Sequence, residues 1–194
     1  MKFNLFFRTF EPYTTNIKDV KSQKVITKLW ETKDFGNVSL IVEGKELRAH
    51  KELLGLWSKY FKAMFESGMK ESNESKIIIE GETYEEFSMI LGICYEPLKT
   101  GFDDSDTINI YRISDKYQFD QLKEHCESFV LRLEYNWEMI LELLKIPLSP
   151  KLKLHCQNWI VNNLKTLLAR EDFNLLDKEL IISILKLHYK KYSF

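Results

Sequence analysis

The spacing of apolar positions changes character along the chain. Residues 19–32 (DVKSQKVITKLWET) bring Val25, Ile26, Leu29 and Trp30 onto one face at the 3.6-residue period, which predicts a short helix. VSLIV (38–42) and ELRAH (46–50) flank Glu43-Gly44 and predict a β-hairpin, with the glycine supplying a positive φ. KELLGLW then opens a helix carrying Leu53, Leu54 and Trp57. Ser58 is placed to cap a second helix, on which Tyr60, Phe61, Met64 and Phe65 make one apolar stripe and which Gly68 ends. KIIIE (76–80) is short, β-branched and strand-like.

Helical periodicity takes over after Gly81. Thr83 to Glu86 has the form of a capping box, and Phe87, Ile90, Leu91 and Cys94 follow at i, i+3, i+4 and i+7. Pro97 stops that helix, and TGFDDSD is expected to be a loop. One further helix shows Ile110, Ile113 and Tyr117, and the next Phe119, Leu122, Cys126, Phe129 and Leu133. Residues 122–130 (LKEHCESFV) are echoed by 152–160 (LKLHCQNWI), which suggests stacked helical pairs. Ser149-Pro150 starts a fresh helix, because proline suits the first helical position. A last helix, roughly 178–190, sets Leu180, Ile181, Ile184, Leu185 and His188 on one face. Strands in the first half and helices beyond about residue 105 give an α+β domain with a helical extension.

Composition narrows the function classes. With 194 residues, 44% of them hydrophobic and 29% charged, the chain has the material for a sizeable core. A net charge of −1 and the lack of any basic run argue against direct nucleic-acid or acidic-membrane binding. No run approaches the length of a membrane span. The aromatic start, MKFNLFFRTFEPY, is broken by Asn4, Arg8 and Glu11 and is read as folding back on the domain, not as a signal peptide. Cys94, Cys126 and Cys156 are odd in number and set in apolar helical patterns, as expected of reduced thiols in a cytoplasmic or nuclear protein.

Candidate chemistry is thin. Adjacent His125-Cys126 and His155-Cys156 point about 100° apart on a helix and lack the spacing of a tetrahedral metal site or a nucleophile pair. Phosphate-binding glycine loops, G-x-S-x-G and H-E-x-x-H are all missing. The acidic run Asp103-Asp104-Ser105-Asp106 lacks the glycine and terminal glutamate of an EF-hand and is read as a solvated loop capping the next helix. No enzyme, metal or cofactor is predicted. His50 is the one residue left open by pattern alone, as either the start of a site or a corner of the core.

An ordered set of positions resembles the BTB/POZ domain. It runs Asn37 to Val42, Leu47 to Leu54, Ser58 to Phe65, Met69 to Ser72, the strand at 77–79, Phe87 to Tyr95, Ser114 to Phe119 and Leu122 to Val130. Asn136-Trp137, Leu152 to Ile160 and Glu171 to Phe173, with Leu176 and Leu180, resemble the first helices of a BACK domain, and the chain ends before a full one would. The resemblance implies an N-terminal segment (1–34) with a dimerisation helix, a BTB/POZ domain (35–133) and an incomplete BACK-like extension (134–194).

It also implies roles. His50 becomes structural, ending the hairpin and beginning the first helix. The face formed by Val25, Ile26, Leu29 and Trp30 is placed to form a homodimer, or alternatively to pack on its own subunit. Met69-Lys70-Glu71 matches the hydrophobic-x-Glu motif with which BTB adaptors engage cullin 3, Met69 as apolar anchor and Glu71 as acceptor. Tyr60 is expected to contribute, whereas Phe61 is expected in the core. Asn37 replaces an aspartate, and Lys51 an arginine, of repressor-type members, which weakens a co-repressor reading. The implied function is a non-enzymatic adaptor of a cullin 3 ubiquitin ligase with an unknown target protein. The rival is a BTB oligomerisation module for transcription or scaffolding without cullin.

Overall fold

The computed structural model describes Lys28, Thr32 and residues 36–67, 76–95 and 104–192, and divides the chain into two compact units, residues 1–132 and 133–194. Among the described residues are three strands and eight α-helices.

In the first unit, β1 (Val38–Val42) and β2 (Lys45–Ala49) form the hairpin, in register from Val38 opposite Ala49 to Val42 opposite Lys45. Two residues make the turn, and both take positive φ, Glu43 at 50° and Gly44 at 75°. Such a turn matches the right-handed twist of the strands, and the glycine removes the steric cost at its second position. β3 (Lys76–Ile79) lies parallel to β1 on its other side, giving the order β2-β1-β3. Val38, Leu40, Val42, Leu47, Ala49, Ile77 and Ile79 all face the core, as the two-residue period requires.

A parallel partner needs a crossover, and α1 (Lys51–Trp57) and α2 (Lys59–Glu66) supply it. Ser58 separates them. Its Oγ accepts the Phe61 N–H at 3.0 Å and donates to the Tyr117 carbonyl at 2.6 Å, so one buried hydroxyl caps α2 and ties it to a distant turn. α3 (Tyr84–Tyr95) buries Phe87, Ile90, Leu91, Ile93, Cys94 and Tyr95. α4 (Asp104–Lys116) and α5 (Asp120–Val130) complete the unit. Asp104, Ser105 and Asp106 lie inside the first turn of α4, where the sequence suggested a loop. Carboxylates there meet the positive end of the helix dipole, which offsets their modest helix propensity. Gly68, Pro97 and Asp103 lie outside the described residues.

The α3–α4 contact is electrostatic as well as apolar. The Glu82 side chain is fully buried between Arg112 Nη1 at 2.7 Å and Lys116 Nζ at 2.8 Å. Lys116 also donates to the Glu80 carbonyl at 2.6 Å. Two cations and their hydrogen bonds offset the desolvation of one carboxylate, and removing Glu82 alone would leave the positive pair facing each other. The capping box beside it is fully formed: the Thr83 N–H donates to Glu86 at 2.9 Å, and the Glu86 N–H donates back to Thr83 Oγ1 at 3.2 Å.

Partial burial by itself pushes the Glu86 carboxyl up. The Thr83 donors and Arg112, at 3.1 Å, more than offset this and hold it below its ordinary value of 4.5. The unfolded chain therefore takes up this proton first as pH falls. The stabilisation is complete above pH 4.5 and is lost as pH drops through the lower folded value. Thr83→Ala is expected to cost about 1 kcal/mol at neutral pH and to flatten the acid limb of a urea-midpoint titration. An unchanged acid limb would show that the box does not set it.

The second unit contains α6 (Trp137–Leu144), α7 (Pro150–Leu167), a 3₁₀ turn (Glu171–Leu175) and α8 (Lys178–Tyr192). Asn136 caps α6 and Ser149 caps α7, with Pro150 at the start as predicted. The internal echo has a packing meaning: Leu122, Cys126 and Val130 on α5, and Leu152, Cys156 and Ile160 on α7, are all fully buried. Trp137 Nε1 donates to Asp172 at 2.9 Å, its ring lies 6.0 Å from Phe173, and Arg170 pairs with Asp172 at 3.0 Å. The face predicted for the last helix is only partly covered. Ile184 is buried, but Leu185 is 53% exposed.

Candidate interaction surface

His50 precedes α1 and binds the buried Tyr95 hydroxyl twice. Its backbone N–H donates to Tyr95 Oη at 2.9 Å, and its Nδ1 lies 2.7 Å from the same oxygen. The hydroxyl thus accepts from the main chain and is also hydrogen-bonded to the ring nitrogen, and it pins the end of β2 to α3. That geometry assigns His50 a structural role. Burial pushes the Tyr95 phenol up to about 12, so it stays protonated in this bond. The next turn is fixed by Asn37, whose Oδ1 accepts the Lys51 N–H at 2.8 Å while its amide donates to Glu52 at 3.0 Å.

Tyr60 and Phe61 are adjacent on α2 but face opposite environments. Phe61 is fully buried, stacked 5.8 Å from Tyr117 with an interplanar angle of 6°, and near Phe87 and Phe119 at 6.3 and 6.1 Å. Tyr60 is 38% exposed and meets Phe61 and Tyr117 edge-on at 5.3 and 5.4 Å. The predicted four-residue stripe is therefore not one buried face: Phe61 alone is buried, while Met64 and Phe65 are half-buried. Lys59 forms an ion pair with Asp120 beside Tyr60, and its backbone N–H reaches the Gln118 carbonyl at 3.2 Å. A rigid aromatic floor thus presents one exposed aromatic with a polar tip, the kind of side chain that anchors protein contacts.

A second surface lies along α1 and α2. Lys51, Gly55, Leu56, Lys62 and Phe65 line an open groove of about 480 Å³. Leu56 is 59% exposed there, and Lys51 Nζ sits 5.7 Å above the Phe65 ring. Of the residues predicted for partner contacts, Tyr60 is the one the structure places. Met69 and Glu71, and Val25, Ile26, Leu29 and Trp30, lie outside the described residues. The Leu56 groove was missed because one exposed leucine carries no sequence signal by itself.

The three cysteines are free and buried, and burial pushes their thiols up, to about 11 for Cys156 and further for Cys94 and Cys126. Among the described residues, no group of three or more His, Cys, Asp or Glu side chains is arranged to hold a metal, and no helix is long and apolar enough to cross a membrane.

Comparison with known proteins agrees with this architecture. The chain is 28% identical over 157 residues to BTB/POZ domain-containing protein 9 of Bos taurus, covering 78% of the chain and 26% of that protein. It is 26% identical over 167 residues to Kelch repeat and BTB domain-containing protein 4 of Mus musculus, covering 84% of the chain and 31% of the relative. Kelch-like protein 22 of Mus musculus matches over 145 residues at 24% identity, covering 57% of the chain and 23% of its own length. The chain therefore spans about a quarter to a third of the curated relatives it matches. The family model for the BTB/POZ domain matches residues 26–134, more than half of the sequence, and on that match the chain belongs to the BTB/POZ family.

Proposed function

We propose that this chain is a non-enzymatic protein-interaction adaptor, a dimeric BTB module that engages a cullin 3 scaffold and positions a target protein. Membership of the BTB/POZ family supports the interaction role. The observation that carries the scaffold contact is Tyr60, an exposed aromatic held edge-on against Phe61 and Tyr117. Met69 and Glu71 follow α2 in the sequence and complete the proposed surface, one as a flexible apolar anchor and one as an acceptor. Interface energy concentrates in a few such residues, so this small set is enough to dominate affinity.

Dimerisation is assigned to Val25, Ile26, Leu29 and Trp30, with the Leu56 groove as the surface offered to a second copy. An isologous contact of this kind buries apolar area on both subunits at once. The helical second unit is read as BACK-like, a reading supported by the Trp137–Asp172 and Trp137–Phe173 contacts. Buried, unpaired cysteines suit a reducing compartment, the cytoplasm or nucleus. In this role the chain performs no bond chemistry. It raises the effective concentration of a target near the ligase.

The test is direct binding to the N-terminal domain of cullin 3, with Met69→Ala, Glu71→Ala and Tyr60→Ala as partners in the titration. The exposed Leu56 groove also supports a second reading, an oligomerisation module for transcription or scaffolding, which predicts self-association without any cullin contact.

A further inference from the structure

Four aromatic rings meet where α2 passes the end of α4, and one of them is held by a charge. Tyr117 is 5% exposed and stands edge-on to Tyr60 at 5.4 Å and to Phe87 at 5.3 Å, while its plane lies parallel to Phe61. Lys116 Nζ sits 5.2 Å from the centre of the same ring. A cation placed there is attracted to the electron-rich ring face and resists its rotation. Burial raises the Tyr117 phenol above its ordinary value, and the Lys116 charge works against that shift.

The ammonium is itself fixed. It donates to Glu82 at 2.8 Å and to the Glu80 carbonyl at 2.6 Å, so it is tied to the turn between β3 and α3. Gly81 lies between those two anchors with φ at 81°, and a Cβ there would come within 3.4 Å of the ammonium. The main chain thus bends around Lys116 at a residue that takes a positive φ without steric cost. On the other side of the cluster, the Tyr60 ring is set by its edge-on contacts with Phe61 and Tyr117.

We infer that Lys116 is a positioning residue for the proposed partner surface: its ammonium, anchored on Glu82 and the Glu80 carbonyl, fixes the Tyr117 ring, and that ring sets the direction in which Tyr60 is presented. The inference rests on the reading of Tyr60 as a contact residue and adds the group that orients it.

The test separates orientation from binding. In the free chain, nuclear Overhauser contacts between the Tyr60 and Tyr117 rings report the arrangement with no partner present. Lys116→Met keeps the stem, removes the charge and leaves Glu82 paired with Arg112 at 2.7 Å. It is expected to lose the Tyr60 contacts, whereas Lys116→Arg, which keeps the charge, retains them. Lys116→Gln makes the same comparison if methionine costs the fold. In the titration with cullin 3, Lys116→Met is expected to weaken binding at least about threefold and to add nothing further in a Tyr60→Ala background, as for residues acting through one contact. A lysine with a merely structural role would subtract the same amount in both backgrounds.

Unchanged ring contacts in the uncharged variants overturn the inference. So does an arginine variant that behaves like methionine, or a binding loss that adds in full to that of Tyr60→Ala. A wild-type chain that binds no cullin sinks the adaptor reading instead, and the ring contacts alone then decide the role of Lys116.

Discussion

Gly36→Ala is expected to destabilise the first unit by at least about 3 kcal/mol, enough to remove much of the stability of a domain this size. A Cβ at residue 36 would sit 2.4 Å from the Ala49 carbonyl oxygen and 2.7 and 2.8 Å from the Ala49 carbonyl carbon and nitrogen. All three atoms are backbone, and Ala49 is the residue opposite Val38 at the first rung of the hairpin. The methyl cannot be accommodated by rotating a side chain, so the β1–β2 ladder has to open. The Gly36 carbonyl also accepts from Arg48 Nη2 at 2.6 Å, a bond that the same displacement breaks. Gly92→Ala is the control. Nothing lies within 4 Å of a Cβ there, and on helix α3 alanine should be neutral or stabilising by up to about 1 kcal/mol. Urea unfolding of the two variants compares the effects directly. Equal midpoints would show that the close approach is not what requires glycine.

Phe61→Ala is expected to cost about 3–5 kcal/mol, the range for deleting a fully buried aromatic ring. Phe61 joins α2 to Phe87 on α3, to the Tyr117 turn and to Phe119 at the head of α5, so its loss leaves a cavity where these elements meet. Tyr60→Ala removes two edge-on contacts from an exposed site and should cost only about 1 kcal/mol of stability. Neighbours in sequence thus sit in two environments on α2, with Phe61 in the core and Tyr60 on the surface proposed to meet a partner. Similar thermal losses in the two variants would contradict that division.

Signals carried within a few residues were legible from the sequence. The Glu43-Gly44 turn, the Ser58 cap, the Thr83–Glu86 box and the Ser149-Pro150 start each depend on backbone groups nearby, and each is formed. What periodicity does not carry is how much of an apolar stripe its neighbour covers. Tyr60 and Leu185 fit their helical stripes yet stay exposed, because burial depends on elements elsewhere in the chain. Contacts between distant residues were equally invisible, such as the Tyr95 hydroxyl on His50, 45 residues away, and Glu82 between Arg112 and Lys116. Asp104 to Asp106 were ambiguous for a different reason: the same acidic residues suit a loop or a helix start, and local composition does not choose.

The candidate surface was legible mainly through the family resemblance. Periodicity placed Tyr60 on a helix but gave no reason to separate it from Phe61. The resemblance separated the two, and the aromatic floor beneath α2, assembled from α3, the Tyr117 turn and Phe119, gives the physical reason why Phe61 packs and Tyr60 stays exposed.

The central claim is that this BTB module binds a cullin scaffold. Its most direct test is calorimetric titration of the chain with the N-terminal domain of cullin 3, alongside Met69→Ala and Glu71→Ala. The account predicts micromolar or tighter binding, weakened by at least ~1 kcal/mol in each variant while their unfolding midpoints stay unchanged. A folded wild-type chain that self-associates but binds no cullin would contradict it and leave an oligomerisation module in its place.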